Sequence, residues 1–277
     1  MRVASLEKGG MVVAEPVEEG NGERPAAFVQ SLERGLAVIR AFDGDHPQLT
    51  LSDVARRTGL TRAAARRFLH TLVELGYVRS DGRLFSLRPR VLELGYAYLS
   101  GLSLPEVAQP HMEQLVAQVG ESCSISVLDG DDVVYVARVS TKRIMTVAIS
   151  VGTRFPAYAT SMGRVLLAAQ PREVRAAYLR TVVLKPLTPF TITDPAHLAA
   201  TLDSVALQGF ALLDQELEEG LRSIAVPIHD RDGVVVAAMN ISASARRSTP
   251  AAIRSDLLPP LQAAAREIEL DLRRGPA

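Results

Sequence analysis

The sequence predicts an α+β protein with two domains, a small helical domain followed by a larger domain of mixed helices and strands. Its 277 residues exceed the usual size of one domain, and 47% of them are hydrophobic, which is enough for packed cores. Hydrophobic residues recur at helical spacing in the first part of the chain, whereas several segments after residue 120 alternate with a period of two. Helices combined with antiparallel-type strands favour an α+β architecture.

The charge distribution indicates a basic first domain. The formal net charge is zero, but residues 25–90 contain eleven arginines against six acidic residues, a net charge of +5. A basic segment ahead of a mildly acidic body is typical of a nucleic-acid-binding module, although a solvated helical face has the same composition. We expect four segments: a disordered tail (1–27), a DNA-binding domain (28–88), a connector helix (89–104) and a second domain (105–277).

Composition argues against several other classes of protein. A single cysteine, Cys123, allows no internal disulfide, and no cysteine or histidine cluster has the spacing of a zinc site. No apolar run approaches the roughly 20 residues that a membrane helix needs. We therefore expect a cytoplasmic protein that needs no metal, cofactor or membrane.

The first domain contains the pattern of a helix-turn-helix. A first helix is expected from Ser31, which is a good N-cap, and a second runs from near Ser52 to Gly59, where a left-handed glycine ends it. Only one residue separates Gly59 from Thr61, which caps a third helix, Arg62–Leu75. Two helices joined by so short a glycine turn are typical of a helix-turn-helix.

The third helix has the pattern of a recognition helix. Projection at 100° per residue places Ala65, Phe68, Leu69, Leu72 and Leu75 on the core side and the arginines on the other side. Two short alternating runs then flank Asp81-Gly82, a hairpin signal that predicts the wing of a winged helix. A protein-interaction domain of the same shape is the alternative. The residues expected to contact DNA are Thr61, Arg62, Ala63, Arg66, Arg67, Arg79 and Arg83.

The connector carries an apolar stripe, Leu92, Tyr96 and Leu99, that we expect to be buried between two subunits. In the second domain we expect strands around Cys123–Leu128, Val133–Val139 and Ile144–Ser150, and further strands from residue 210 to Ser242. A closing helix is expected from Thr249, partly broken at Pro259-Pro260. The sequence has no nucleophile elbow, dinucleotide fingerprint or phosphate-binding loop, so no catalytic residues are predicted.

Polar residues at three places in the second domain indicate a small-anion site. Thr160 and Ser161 stand at a helix N-terminus, where backbone N–H groups and hydroxyls favour a carboxylate. The segment from Asp214 to Ser223 is a polar loop between apolar strands, and Asn240 and Ser242 interrupt an otherwise apolar strand. Each group alone also fits a local cap, a solvated loop or strand-edge residues; together they are complementary to a small polar acid.

The chain resembles the IclR family of bacterial transcriptional regulators from Phe28 to about Arg273. The resemblance rests on SLERGLAVI, LTLSDVARRTGL and RRFLHTLVELGYV, and on ATSMGRVLLA, GFALLDQELEEGLRSIAVPI and GVVVAAMNIS. The run from Val136 to Ala168 is similar to the branch that regulates the β-ketoadipate pathway. The resemblance implies a winged-helix DNA-binding domain, a GAF-like effector domain and a homodimer or tetramer.

The resemblance also implies an effector pocket. Its expected residues are Ala159, Thr160, Ser161, Asp214, Glu216, Ser223, Asn240 and Ser242; several family members have cysteine at the position of Ser223. We expect a carboxylate at Thr160 and Ser161, and we expect Asp214 and Glu216 to repel a second carboxylate. This favours a hydroxylated aromatic acid over a β-ketoadipate-like dicarboxylate, unless Arg138, Arg154 or Arg222 turns inward.

The preferred hypothesis is a regulator that binds a double-stranded DNA operator as an oligomer and responds to such an acid. An enzyme acting on the same acid, with the winged helix used for assembly, is the alternative, and the missing catalytic constellation argues against it. A constitutive DNA-binding protein is disfavoured by the polar pocket residues.

Overall fold

The computed structural model describes residues 28–94, 104–141 and 149–274. The chain divides into two compact units, with the boundary between Leu94 and Gly95. The predicted tail lies outside the described residues, as do Tyr96 and Leu99 of the connector stripe and residues 144–148 of the expected strand Ile144–Ser150.

The first unit is a three-helix domain with a small antiparallel sheet. Its core is formed by Val38, Val54, Ala65, Leu69 and neighbouring apolar residues. The strands lie in the order β1-β3-β2, so a short strand before the second helix joins the predicted hairpin. The elements are α1 (Gln30–Arg40), β1 (Leu49–Thr50), α2 (Leu51–Thr58), α3 (Arg62–Glu74), β2 (Val78–Ser80) and β3 (Leu84–Leu87).

Local sequence signals account for the helix-turn-helix. Thr50 and Asp53 form a capping box at the start of α2, and Gly59 ends that helix in the left-handed conformation, at φ 64°. The Thr61 hydroxyl then accepts a hydrogen bond from the Ala64 N–H at 3.2 Å, which caps α3 as predicted.

Two expectations for the helix ends of this unit are wrong. Helix α1 begins at Gln30, with Val29 at the cap position and no side-chain cap, so Ser31 is inside the helix rather than its cap. Leu75 is 51% exposed instead of packed on the core side. Its N–H still bonds the Thr71 carbonyl at 2.9 Å, so it keeps its helical position, but it lies at the very end of α3, beyond the buried core contacts of Leu69 and Leu72.

The second unit is a six-stranded antiparallel sheet with helices on both faces. The strands lie in the order β6-β5-β4-β9-β8-β7. They are β4 (Ser122–Asp129), β5 (Asp132–Val139), β6 (Arg154–Pro156), β7 (Ala211–Asp214), β8 (Leu221–His229) and β9 (Val235–Ser244). The helices are α4 (Leu104–Val119), α5 (Ser161–Ala168), α6 (Arg172–Thr181), α7 (Pro195–Gln208) and α8 (Leu258–Arg274).

The two sheet faces differ in chemistry. Under α4 and α8 the sheet presents Ile125, Ile224, Met239 and Ile241, all without exposed surface, to a continuous apolar core. The other face is covered by α5, in which all eight residues are buried, and by α7 outside it. This second face carries polar residues of strands β4, β8 and β9, among them Ser124, Ser223 and Asn240.

The closing helix is not broken at its prolines. A π-helical turn, Ile253–Leu257, precedes α8, and the helix runs on through Pro259 and Pro260. The helical run begins at Pro250, so Pro259 and Pro260 lie inside it, directly after the wider π turn that accommodates their missing N–H donors. The irregularity therefore lies one turn earlier than the sequence suggested.

Candidate effector and DNA-binding sites

Helix α3 presents an exposed basic face. Thr61, Arg62, Ala63, Arg66 and Arg67 are all exposed, while Ala65 and Leu69 on the opposite side are fully buried. No described residue accepts a hydrogen bond or ion pair from the three guanidinium groups on this face. Small residues beside unpaired arginines at the N-terminal half of the helix form the arrangement that a major groove accepts.

The hairpin after α3 carries two further arginines. Arg79 and Arg83 are both exposed, and Arg79 is oriented by a hydrogen bond from its Nε to Ser86 Oγ, 2.8 Å away on the paired strand. The Asp81 carboxylate accepts from the N–H groups of Arg83 and Leu84, at 2.9 and 2.7 Å, and so fixes the turn. The wing therefore presents Arg83 from its hydrogen-bonded turn and Arg79 from strand β2.

Helix α5 begins against the polar face of the large sheet. The Thr160 hydroxyl accepts from the Gly163 N–H at 3.0 Å and caps the helix. The N–H groups of Ser161 and Met162, in the first turn, have no acceptor within the helix. Such an N-terminus carries a partial positive charge and offers donors to an anion.

A small enclosed cavity lies at this helix N-terminus. Its volume is about 20 Å³, room for a single water. Seven of the eight residues that the sequence predicted for the effector pocket line this cavity, and Asp214 does not. The lining residues are Tyr135, Ile149, Ala159, Thr160, Ser161, Leu213, Glu216, Leu217, Leu221, Ser223, Asn240 and Ser242.

Two polar atoms in the cavity wall have no hydrogen-bond partner. Ser161 Oγ and Asn240 Oδ1 are both buried and unpaired, although Asn240 Nδ2 donates to Ser242 Oγ at 3.3 Å. Leaving a buried polar group unsatisfied costs about 1–3 kcal/mol. Unpaired polar atoms facing one cavity therefore indicate a site that a polar ligand completes.

Glu216 lines the cavity as one half of a buried ion pair. Its Oε2 accepts from Arg164 of helix α5 and from the Ile192 N–H at 3.1 Å. Arg164, 2% exposed, also donates through Nε to the Tyr158 carbonyl at 2.9 Å. The carboxylate is therefore neutralised, and the expectation that it repels a ligand carboxylate does not hold.

Asp214 faces away from the cavity. It lies directly opposite Arg222 on the neighbouring strand, and the two form a bidentate pair with distances of 2.6 and 3.0 Å. Arg222 also donates to the carbonyls of Ala245 and Ser248 at 2.8 and 2.6 Å. This register couples both side chains to each other and leaves neither beside the cavity.

The comparisons with known proteins follow this division of the chain. The family model described as IclR helix-turn-helix domain matches residues 31–82. The model described as Bacterial transcriptional regulator IclR C-terminal matches residues 96–270. The chain belongs to the IclR family. It is a DNA-binding transcriptional regulator, as the resemblance implied.

Relatives confirm the branch of the IclR family. The chain is 48% identical to a Pca regulon regulatory protein of Pseudomonas putida, over 87% of this chain and 83% of that one. It is 40% identical to the p-hydroxybenzoate hydroxylase transcriptional activator of Acinetobacter baylyi, over 88% and 92%. These relatives lie in the β-ketoadipate branch that the sequence resembles.

A solved IclR structure shares the fold. The crystal structure of an IclR homolog complexed with 4-hydroxybenzoate from Microbacterium hydrocarbonoxydans is 31% identical, with a TM-score of 0.78. The alignment covers 88% of this chain and all of the other. The α+β class with an N-terminal helix-turn-helix is thereby confirmed.

Two polar residues of this IclR site were not predicted. Tyr135 lines the cavity from strand β5, and burial raises the pKa of its hydroxyl to about 12, so it stays a neutral donor. Arg164 holds Glu216. Each is a polar residue inside an apolar segment, the same signal that identified Asn240 and Ser242.

Within the described ranges, no group of three or more histidine, cysteine or acidic side chains is placed to hold a metal ion. Burial strongly raises the pKa of the Cys123 thiol, which makes it unreactive. No helix in the described part of the chain is long and apolar enough to cross a membrane.

Proposed function

We propose that this IclR regulator controls genes of aromatic-acid catabolism and responds to a small carboxylic acid bound in the α5 cavity. The observation that carries the effector site is the pair of unpaired buried atoms, Ser161 Oγ and Asn240 Oδ1, in one cavity. The regulator acts by binding rather than by turnover, and works in the cytoplasm as a homo-oligomer on a double-stranded operator.

The DNA contacts are assigned to the exposed basic face. Arg62, Arg66 and Arg67 reach bases or phosphates from α3, and Arg79 and Arg83 reach the neighbouring backbone or minor groove from the wing. Thr61 and Ala63 allow the close approach of the helix N-terminus. The Thr61 hydroxyl already caps the helix, so its contribution to DNA contact comes from position rather than from a new side-chain bond.

The acid is oriented by the two unpaired atoms. Its carboxylate accepts from Ser161 Oγ and from the N–H groups at the start of α5, where the helix dipole adds favourable charge. Asn240 Oδ1 is an acceptor, so it suits a hydroxyl donor on the ligand. Thr160 contributes less directly, because its hydroxyl is occupied as the helix cap. A hydroxylated aromatic acid such as 4-hydroxybenzoate or protocatechuate fits these atoms.

The small size of the cavity connects binding to regulation. At about 20 Å³ it has room for no more than one water, so an aromatic acid enters only when the surrounding side chains move apart. A ligand that binds only the opened form shifts the population toward it. The effector domain then has two forms, a closed form without the acid and an opened form that holds the acid.

Titration calorimetry with 4-hydroxybenzoate, protocatechuate and β-ketoadipate tests the effector site, and binding to operator fragments with and without each acid tests the response. We expect at least one acid to bind below millimolar concentration and to change operator affinity. Mass spectrometry of the recovered acid separates a regulator from an enzyme. Turnover of the acid, or no binding by any of the three at millimolar concentration, would contradict the proposal.

A further inference from the structure

The connector begins beside the C-terminal end of helix α3. The chain leaves α3 through Leu75 and a left-handed Gly76, at φ 79°, and enters strand β2. The hairpin then returns to the same place, because the Arg88 N–H donates to the Tyr77 carbonyl at 2.8 Å. A 3-10 turn, Pro89–Val91, follows at once and is the first turn of the connector. The connector therefore starts next to the end of the helix that is assigned to DNA contact.

One side chain of this turn, Arg90, makes three contacts. Its Nη1 donates to the Leu75 carbonyl at 3.0 Å, and its Nε donates to Glu93 Oε2 at 3.3 Å. Its guanidinium carbon lies 5.4 Å from the centre of the Tyr77 ring, a cation–π distance. Leu75 and Tyr77 flank the glycine that ends α3, whereas Glu93 belongs to the connector. Arg90 therefore joins the two segments.

The end of α3 is complementary to this cation. The last carbonyl groups of a helix have no intrahelical donor and carry a partial negative charge. Leu75, the C-cap residue of α3, has such a carbonyl. Gly76 leaves room for the arginine, because a Cβ at this position would lie 3.4 Å from Arg90 Nη1 and 3.7 Å from Arg90 Cδ. The guanidinium therefore fits the helix end in both charge and shape.

The contacts of Arg90 can break while the domain stays folded. The side chains of Arg90 and Glu93 are 54% and 64% exposed, and exposed ion pairs contribute little to stability. Helix α3 is held independently by Ala65, Leu69 and Leu72, which are buried in the core. Loss of the Arg90 contacts therefore releases the connector from the helix end without removing any core contact.

Beyond Arg90, the described part of the connector is exposed. Leu92 and Leu94 are apolar, yet 71% and 51% of their surfaces are exposed. The chain that continues from Leu94 leads to the effector domain. This segment is therefore the covalent route by which a change in the effector domain reaches the DNA-binding domain, and Arg90 stands where that route meets the end of α3.

We propose that Arg90 is a positioning residue that couples the connector to helix α3. The acid bound in the effector domain displaces the connector, and Arg90 passes this displacement to the end of α3. Arg90 is assigned no contact with the acid or with DNA. This inference rests on the proposed function, in which a small acid changes operator affinity. Without the Arg90 guanidinium, the protein still binds the acid and the operator, but the two binding events are no longer coupled.

Operator binding by the full-length protein tests the proposal. Fluorescence anisotropy with and without saturating 4-hydroxybenzoate or protocatechuate gives a coupling ratio, the ratio of the two operator dissociation constants. Such ratios are typically about 5- to 150-fold. Arg90→Met keeps the apolar stem and removes the guanidinium, so we expect it to bring the ratio to within about twofold of one. Because coupling is reciprocal, the operator should also stop changing the acid affinity of this variant.

Two further measurements on Arg90→Met distinguish coupling from folding. Acid affinity without DNA, measured by calorimetry, should change by less than about threefold, since Arg90 is assigned no contact with the acid. The unfolding temperature should change by less than about 3 °C, because a half-exposed side chain contributes little to stability.

Matched variants test whether the effect is specific to this contact. Arg88→Met removes an exposed arginine that has no side-chain partner among the described residues, so it should keep the wild-type ratio. Tyr77→Leu removes the ring beside the guanidinium, keeps an apolar side chain at a partly buried position and should also lower the ratio. The double variant Arg90→Met/Tyr77→Leu should lower it no further than Arg90→Met alone, because both residues act through one contact.

The outcomes distinguish this inference from the proposed function. A wild-type ratio in Arg90→Met overturns the role of Arg90 and leaves the effector site standing. If that variant also loses operator affinity and unfolds more than about 3 °C lower, Arg90 is a structural residue of the DNA-binding domain. If the wild type binds an acid but has a ratio of one, the proposed response is wrong and the role of Arg90 falls with it. If no acid binds the wild type, the effector site itself is wrong.

Discussion

Arg164 and Glu216 form an ion pair inside the effector domain, with 2% and 8% of their surfaces exposed. The pair joins helix α5, whose N-terminus borders the cavity, to the loop after strand β7. Arg164 Nε also donates to the Tyr158 carbonyl, and Glu216 Oε2 also accepts from the Ile192 N–H. The position of α5 over the sheet therefore depends on a charge–charge contact as well as on apolar packing.

Removing one partner of this ion pair should lower the unfolding free energy more than replacing both partners does. Glu216→Gln leaves the Arg164 cation buried without a counter-charge, so we expect a loss of about 3–5 kcal/mol in unfolding free energy. The double variant Arg164→Met/Glu216→Leu removes both charges and should lose less than Glu216→Gln alone. Urea unfolding followed by circular dichroism measures both; a double variant that is less stable than the single one would contradict this account.

Variants at Ser161 and Thr160 should distinguish a loss of ligand binding from a loss of stability. Ser161→Ala removes a hydroxyl without a partner, so unfolding free energy should not fall, whereas affinity for the acid should fall about tenfold or more. Thr160→Val removes the cap on the Gly163 N–H and should cost about 0.5–2 kcal/mol of stability. Calorimetry and thermal unfolding of both variants test the assignment. Equal acid affinity in wild type and Ser161→Ala would place the carboxylate elsewhere.

Gly163 permits a close approach between α5 and the turn before it. A Cβ at this position would lie 2.1 Å from the Ala157 carbonyl oxygen, a backbone atom that cannot rotate away. We expect Gly163→Ala to destabilise the protein by at least about 1–3 kcal/mol and to displace the N-terminus of α5. Gly44→Ala, where the added atom meets nothing within 4 Å, is the control and should be tolerated. Similar melting temperatures for the two variants would contradict the close-packing argument.

Local signals were predictable from the sequence and long-range pairings were not. The caps at Thr61 and Thr160 and the left-handed Gly59 depend on residues only a few positions away, so the pattern identifies them. The cavity residues Asn240 and Ser242 were identifiable because polar residues interrupt an apolar strand. The partners of these groups come from distant segments and follow from tertiary packing.

The different orientations of Asp214 and Glu216 show what the alternation of a strand does not predict. Strand alternation would place both side chains on one face, because they are two residues apart. Gln215 between them adopts a left-handed conformation, with φ 62°, and this breaks the alternation. Asp214 consequently pairs with Arg222, while Glu216 reaches the buried Arg164. Nothing in a Gln at this position signals such a backbone.

Two arginines of helix α3 are expected to contact the operator. Arg66 and Arg67 are exposed and unpaired among the described residues, so alanine at either position should leave the domain folded. A residue that pairs with a guanine should lose about 1–3 kcal/mol of operator affinity and relax the preference at that base. A residue that contacts only phosphate should weaken all sequences alike and reduce the salt slope by about one.

Operator and scrambled fragments, titrated at several salt concentrations by fluorescence anisotropy, distinguish these contributions. Arg231→Ala removes the same charge from an exposed turn of the effector domain and should leave both affinities unchanged. The double variant Arg66→Ala/Arg67→Ala should lose most of the difference between operator and scrambled DNA. If it binds the operator as tightly as the wild type does, then α3 is not the helix that contacts DNA, and the basic face has another role.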